Sequence, residues 1–147
     1  MSQTTWSGPL ASGDINAGKT GGPNIGLALL SQTVLIDVGA TLVQNGTVYL
    51  PYKSQIVDII VDVLTQYDSA TSATLSVGTS SAATTYASGV NVKTGIRVRP
   101  TFTAAQLAAM DDIGTNGTVV ATVTSVGQPT VGQVRVTYQY VQTTAND

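Results

Sequence analysis

The chain has 147 residues, 42% of them apolar and only 10% charged, with a net charge of −2. That is the length of one domain with a real core, and its six basic residues are too few for the clustered footprint of a nucleic-acid binder. With no Cys and no His, disulfides, thiolate metal sites and a Ser-His-Asp triad are excluded.

The scarcity of charge leaves Ser, Thr, Asn, Gln and Gly to cover the surface. Such a surface repels its neighbours weakly, which suits a protein that works packed against others. All eight acidic residues are Asp, an odd choice for a helix-rich enzyme, since Glu is the better helix former. No basic region followed by an apolar run opens the chain, and no apolar stretch approaches the ~20 residues of a membrane helix. The expectation is a protein made and folded in a bacterial cytoplasm, with no membrane partner.

Residues 1–26 are rich in Gly, Ser, Thr and Asn and read as an extended N-terminal arm. Residues 27–147 read as the folded domain. Trp6 and Leu10 are candidate anchors of the arm on a partner, together with Ile25, Leu27 and Leu29; Trp is costly to leave in water and is favoured at interface centres. The arm also contains "GDINAGKT", Gly13–Thr20, which matches the phosphate-binding pattern G-x-x-x-x-G-K-T. A working P-loop needs a buried strand before it and a helix after it. Here "TTWSGPLAS" precedes and "GGPN" follows, so neither flank fits and the stretch reads as loop.

Beyond the arm the pattern is β. "TVLIDVG" sets Val34, Ile36 and Val38 against Thr33, Leu35 and Asp37, and "GTVYLPY" puts Val48 and Leu50 together. "QIVDIIVDVLTQY" places Val57, Ile59, Val61 and Val63 on one face, with Ile56, Asp58, Ile60, Asp62 and Leu64 on the other. "ATLSVG" sets Leu75 and Val77 against Thr74 and Ser76. "TFTAAQLAAMDDIG" is the one helix, with Thr103 as N-cap, Gln106 completing a capping box and Gly114 as a stop. "GTVVATVTSV" and "QVRVTYQYVQ" read as an antiparallel hairpin across "GQPTVG", with Val134, Val136, Tyr138 and Tyr140 sharing a face. Seven or eight short strands and one helix predict an all-β antiparallel sandwich, jelly-roll-like, with an immunoglobulin-like sandwich as the alternative.

No constellation carries catalysis, so a non-enzyme is expected, with no cofactor and no metal. Asp58 and Asp62 share a strand face about 13 Å apart, too wide for a glycosidase pair. Asp37 could approach them across strands, but the ligand count falls short of a calcium site. The tyrosines Tyr49, Tyr52, Tyr67, Tyr86, Tyr138 and Tyr140 read as cross-strand packing rather than a sugar platform. Tyr49, Tyr138 and Tyr140 are the candidates for an oligomer interface.

The segments "YLPYKSQIVDIIVDVLTQYDSATSATLSVGT" and "GTVVATVTSVGQPTVGQVRVTYQYVQ" resemble small structural proteins of tailed-bacteriophage virions. The shared pattern is an "LP-x-x-x-x-I-x-D" strand, an "A-T-L-S-V-G-T" strand and a closing "G-x-V-R-V-x-x-x-Y" strand. The likeness covers roughly residues 46–90 and 117–142 and leaves the arm out. It implies a capsid decoration (cement) or head protein on the capsid exterior, bound to the major capsid protein as a homo-oligomer, dimer or trimer. The alternative is a fibre or lectin-like module binding host polysaccharide through exposed tyrosines.

Overall fold

The computed structural model describes residues 11–13 and 25–142. Its strands are β1 (Ala11–Gly13), β2 (Ile25–Leu27), β3 (Leu30–Asp37), β4 (Val43–Tyr49), β5 (Ser54–Thr65), β6 (Ser72–Gly78), β7 (Ala87–Asn91), β8 (Arg97–Val98), β9 (Thr118–Val126) and β10 (Gln133–Gln142). One helix, α1 (Ala104–Asp111), lies between β8 and β9. Eight strands form two antiparallel four-stranded sheets, a first ordered β3-β10-β5-β8 and a second ordered β4-β9-β6-β7. β1 and β2 pair with each other and join neither sheet. The expected boundary between arm and domain, at residues 26 and 27, falls inside β2.

Period-two alternation builds the core. On β10, Val134, Val136, Tyr138 and Tyr140 are buried while the residues between them stay partly open. β9 turns Val119, Ala121 and Val123 inward, and β6 turns Ala73, Leu75 and Val77 inward; all belong to one apolar cluster shared by both sheets. Each such Val or Leu contributes about 1.5–3 kcal/mol by leaving water. At the margin, a Cβ on Gly46 would stand 2.8 Å from side-chain atoms of Val34 and Ile36. A glycine there lets β4 lie close against β3 of the other sheet.

Two readings of the sequence need correction. The first concerns β5, where the odd positions do not all share one face. Tyr140 pairs with Ile56 but Gln139 pairs with Asp58, so Val57 is an extra residue at a register shift. The bulge reverses the alternation: Ile56 is buried and Val57 exposed, while Ile59, Val61 and Val63 remain inside. The second concerns β9 and β10, which are not a hairpin. β9 pairs with β4 and β6, whereas β10 pairs with β3 and β5. The segment 127–132 carries the chain from one sheet to the other. Two strands that face each other across a core alternate just as two strands side by side do, so the pattern could not distinguish them.

Asp68 holds that crossing in place. Its carboxylate accepts from Thr130 N at 2.7 Å, Thr130 Oγ1 at 2.6 Å and Val131 N at 3.2 Å. These bonds keep its carboxyl below the usual aspartate range, the Thr130 hydroxyl foremost.

The capping box is present at α1. Gln106 N donates to Thr103 Oγ1 at 3.2 Å, and Thr103 N donates to Gln106 Oε1 at 2.9 Å. The same buried glutamine donates through Nε2 to Thr84 O at 3.1 Å, tying the helix start to the segment before β7. The helix stops at Asp111, three residues before Gly114, because Asp112 is extended and its Oδ1 accepts from Gly114 N at 2.7 Å. Ile113 N then donates to Ser54 O at 3.1 Å, closing the helix over the start of β5.

Candidate functional site

The outer face of the first sheet carries a row of charge. Register places Leu35, Arg135, Asp62 and Arg97 side by side on β3, β10, β5 and β8. Asp62 Oδ1 accepts from Arg97 Nε at 2.5 Å, and Oδ2 accepts from Arg135 Nη2 at 3.0 Å and Nε at 3.3 Å. Its carboxyl lies below the ordinary 3.8, held there first by the Arg97 hydrogen bond and then by Arg135, against an opposing effect of burial. The two arginine side chains stay 67% and 43% exposed, so the pairing is open to water on one side. Along the same strand, Asp58 meets Arg99 Nε at 3.4 Å. Leu64 and Ile96 are exposed large apolar residues close to this row in sequence.

Asp58 and Asp62 do share a face, as the spacing requires, but arginines rather than a third carboxylate meet them. Asp37 sits at the end of β3 and accepts from Gln133 Nε2 at 2.6 Å. Among the described residues, no group of three acidic side chains could hold a metal ion.

The second sheet differs. Its outward residues include Asn45, Thr47, Thr74, Thr118 and Thr124, and no strand of it contains a charged side chain. Residues 79–85 strap over this face. Asn45 Oδ1 accepts from Ser81 Oγ at 3.0 Å and from Thr122 Oγ1 at 2.7 Å, and Thr122 Oγ1 accepts from Ala82 N at 2.9 Å. Thr122 is buried beneath the strap although it points outward.

The tyrosines divide. Tyr67, Tyr86, Tyr138 and Tyr140 are buried, while Tyr49 and Tyr52 are 71% and 70% exposed. This corrects the expected interface: Tyr138 and Tyr140 belong to the core, since they continue the inward face of β10, and only Tyr49 reaches the surface. Burial, with Asp37 nearby, pushes the Tyr67 hydroxyl up to about 12. Burial also raises that of Tyr138, whose hydroxyl has no hydrogen-bond partner among the described residues.

Of the arm candidates, Trp6 and Leu10 lie outside the described residues, as does 14–20 of "GDINAGKT". Ile25 and Leu27 bracket β2, and Leu29 is exposed just before β3. Ser88, Asn91, Arg99 and Thr101 help line a cleft of about 270 Å³ between β7 and the segment leaving β8. That is small beside the ~300–1,000 Å³ of small-molecule pockets. Among the described residues, no helix is long and apolar enough to cross a membrane. No family model, curated protein or solved structure matches the chain.

Proposed function

We propose that this chain is a structural protein of a tailed-bacteriophage virion, binding outside the assembled capsid and bridging neighbouring major capsid proteins. The observation that carries the reading is the strand order. From β3 to β10 every connection changes sheet except β6 to β7. This alternation supports a jelly-roll sandwich over an immunoglobulin-like one, and jelly rolls serve viral capsids among other uses. The strands that bear the phage-like motifs, β5, β6, β9 and β10, are central or adjacent in that order.

The role is one of contact rather than catalysis. The arm, through Trp6, Leu10, Ile25, Leu27 and Leu29, lies along capsid subunits. A two-stranded ribbon such as β1–β2 is marginal in water by itself and gains by docking on a neighbour. Many weak contacts repeated over a symmetric shell sum through avidity.

Quantitative mass spectrometry of virions of the encoding phage tests this. Hundreds of copies per particle are expected, and a chain lacking residues 2–24 should keep its fold but no longer decorate capsids. A handful of copies per particle, or none, would overturn the decoration role. A second reading, a fibre or lectin-like module, draws on the exposed pair Tyr49 and Tyr52. A glycan array with a Tyr49→Ala, Tyr52→Ala control decides it, since a decoration protein should bind no glycan.

A further inference from the structure

The four edge strands of the two sheets are not alike. β7 is five residues long and bulged: Leu75 pairs with Val90 and Val77 with Ala87, so Ser88 and Gly89 together oppose Ser76. Gly89 sits at φ +70, a conformation glycine adopts without strain. β8 has two residues, one an arginine, and Arg99 and Pro100 follow it. Short length, charge, proline and bulges are the devices that blunt an edge against pairing. β3 ends on a charge, Asp37.

β4 has none of these devices. It runs seven residues, Val43–Tyr49, in unbroken register with β9, and no strand among the described residues pairs with its other side. It contains no charge and no proline. Val43, Asn45, Thr47 and Tyr49 point outward, and Gln44 and Val48 point inward. Gln44 Oε1 is buried without a hydrogen-bond partner among the described residues.

We propose that β4 pairs antiparallel with β4 of a second copy of this chain, about a twofold axis at Gly46, joining two second sheets into one of eight strands. The strand is self-complementary in that register. On the outer face Tyr49 lies opposite the partner's Val43, an aromatic on a β-branched residue, and Asn45 lies opposite the partner's Thr47. Both pairs occur twice, as an isologous contact requires. Charge selects the occupant. Nothing on the strand repels its own copy, whereas an acidic or basic segment would bury its charge there unpaired. Main-chain donors and acceptors along the edge supply the affinity, as in strand addition generally.

The test needs only the isolated full chain, so its outcome does not depend on the virion reading. Light scattering should give twice the 15.0 kDa of the chain. Asn45→Asp with Thr47→Asp sets like charges opposite each other across the axis and should halve that mass. Asn45→Asp with Thr47→Lys sets opposite charges there and should restore it. Both keep an acceptor for Ser81 and Thr122, and circular dichroism checks their fold. Because the chain has no Cys, Asn45→Cys and Thr47→Cys each carry one thiol. Mixed and mildly oxidised, they should form far more disulfide dimer than either alone, since directly opposed residues have Cβ atoms about 4.5–5.5 Å apart. A monomeric or trimeric mass for the unaltered chain, a dimer that survives the paired Asp variant, or equal cross-linking in mixed and single samples would each overturn the proposal.

Discussion

The two sheets share a core but meet the solvent differently. Every charged residue within the eight sheet strands lies on the first sheet: Asp37, Asp58, Asp62, Arg97 and Arg135. The second sheet presents Thr and Asn and is strapped by 79–85. Inward, both follow the same rule, alternate apolar residues packed into one core. Outward, the first sheet joins β10, β5 and β8 by ion pairs at Asp62, whereas the second joins a loop to a sheet by neutral hydrogen bonds. The first arrangement answers to pH and salt; the second is indifferent to both. A surface without charge also approaches its own copy at low cost.

That contrast can be broken from either side. The largest effect is expected at Asp62. Asp62→Asn removes the acceptor charge shared by two half-exposed arginines and should cost about 1–2 kcal/mol at neutral pH in urea unfolding. The folded carboxyl titrates below its ordinary 3.8, so on acidification the unfolded chain takes up this proton first. The row's contribution is therefore full above that value and is lost as pH falls through the lower folded one. The asparagine variant should lose less stability than the unaltered chain across that acid window; equal loss would assign the acid sensitivity elsewhere.

Thr122→Val tests the other sheet. It keeps the shape but removes the acceptor of Ala82 N and the donor to Asn45, and should cost about 1 kcal/mol. Hydrogen exchange should speed up within 79–85 and leave β10 unchanged, with no dependence on salt. The smallest effect has the opposite sign. Tyr138→Phe deletes a fully buried hydroxyl that has no partner among the described residues, so thermal unfolding should show no loss and up to about 1 kcal/mol of gain. A clear loss would mean that the hydroxyl is bonded, for example by a buried water.

Much of this was legible. The inward faces of β6 and β10 follow from alternation alone, and the Thr103–Gln106 box from its spacing. The contrast between the sheets is also written in the chain: no charged residue occurs in 38–52, 69–92 or 113–134, and β4, β6, β7 and β9 all fall in those runs. The Asp62 row was not legible, because its arginines come from β8 and β10, far away in sequence. Tyr138 and Tyr140 were misplaced although their inward alternation was correct. A tyrosine on an apolar face suits either a core or an interface, and the depth of the sheet above it decides which.

By itself, then, the sequence determined that the chain makes strands, which residues of most strands turn inward, and where the helix begins. These are local matters of side-chain period and hydrogen-bonding spacing. The tertiary structure alone decided which strands are neighbours, that β9 and β10 face each other instead of pairing, that β5 changes phase at Val57, and that two arginines converge on Asp62. Strands pair through main-chain groups that every residue carries, so pairing leaves little trace in residue type. Only packing of the whole chain around one core selects among the possible partners.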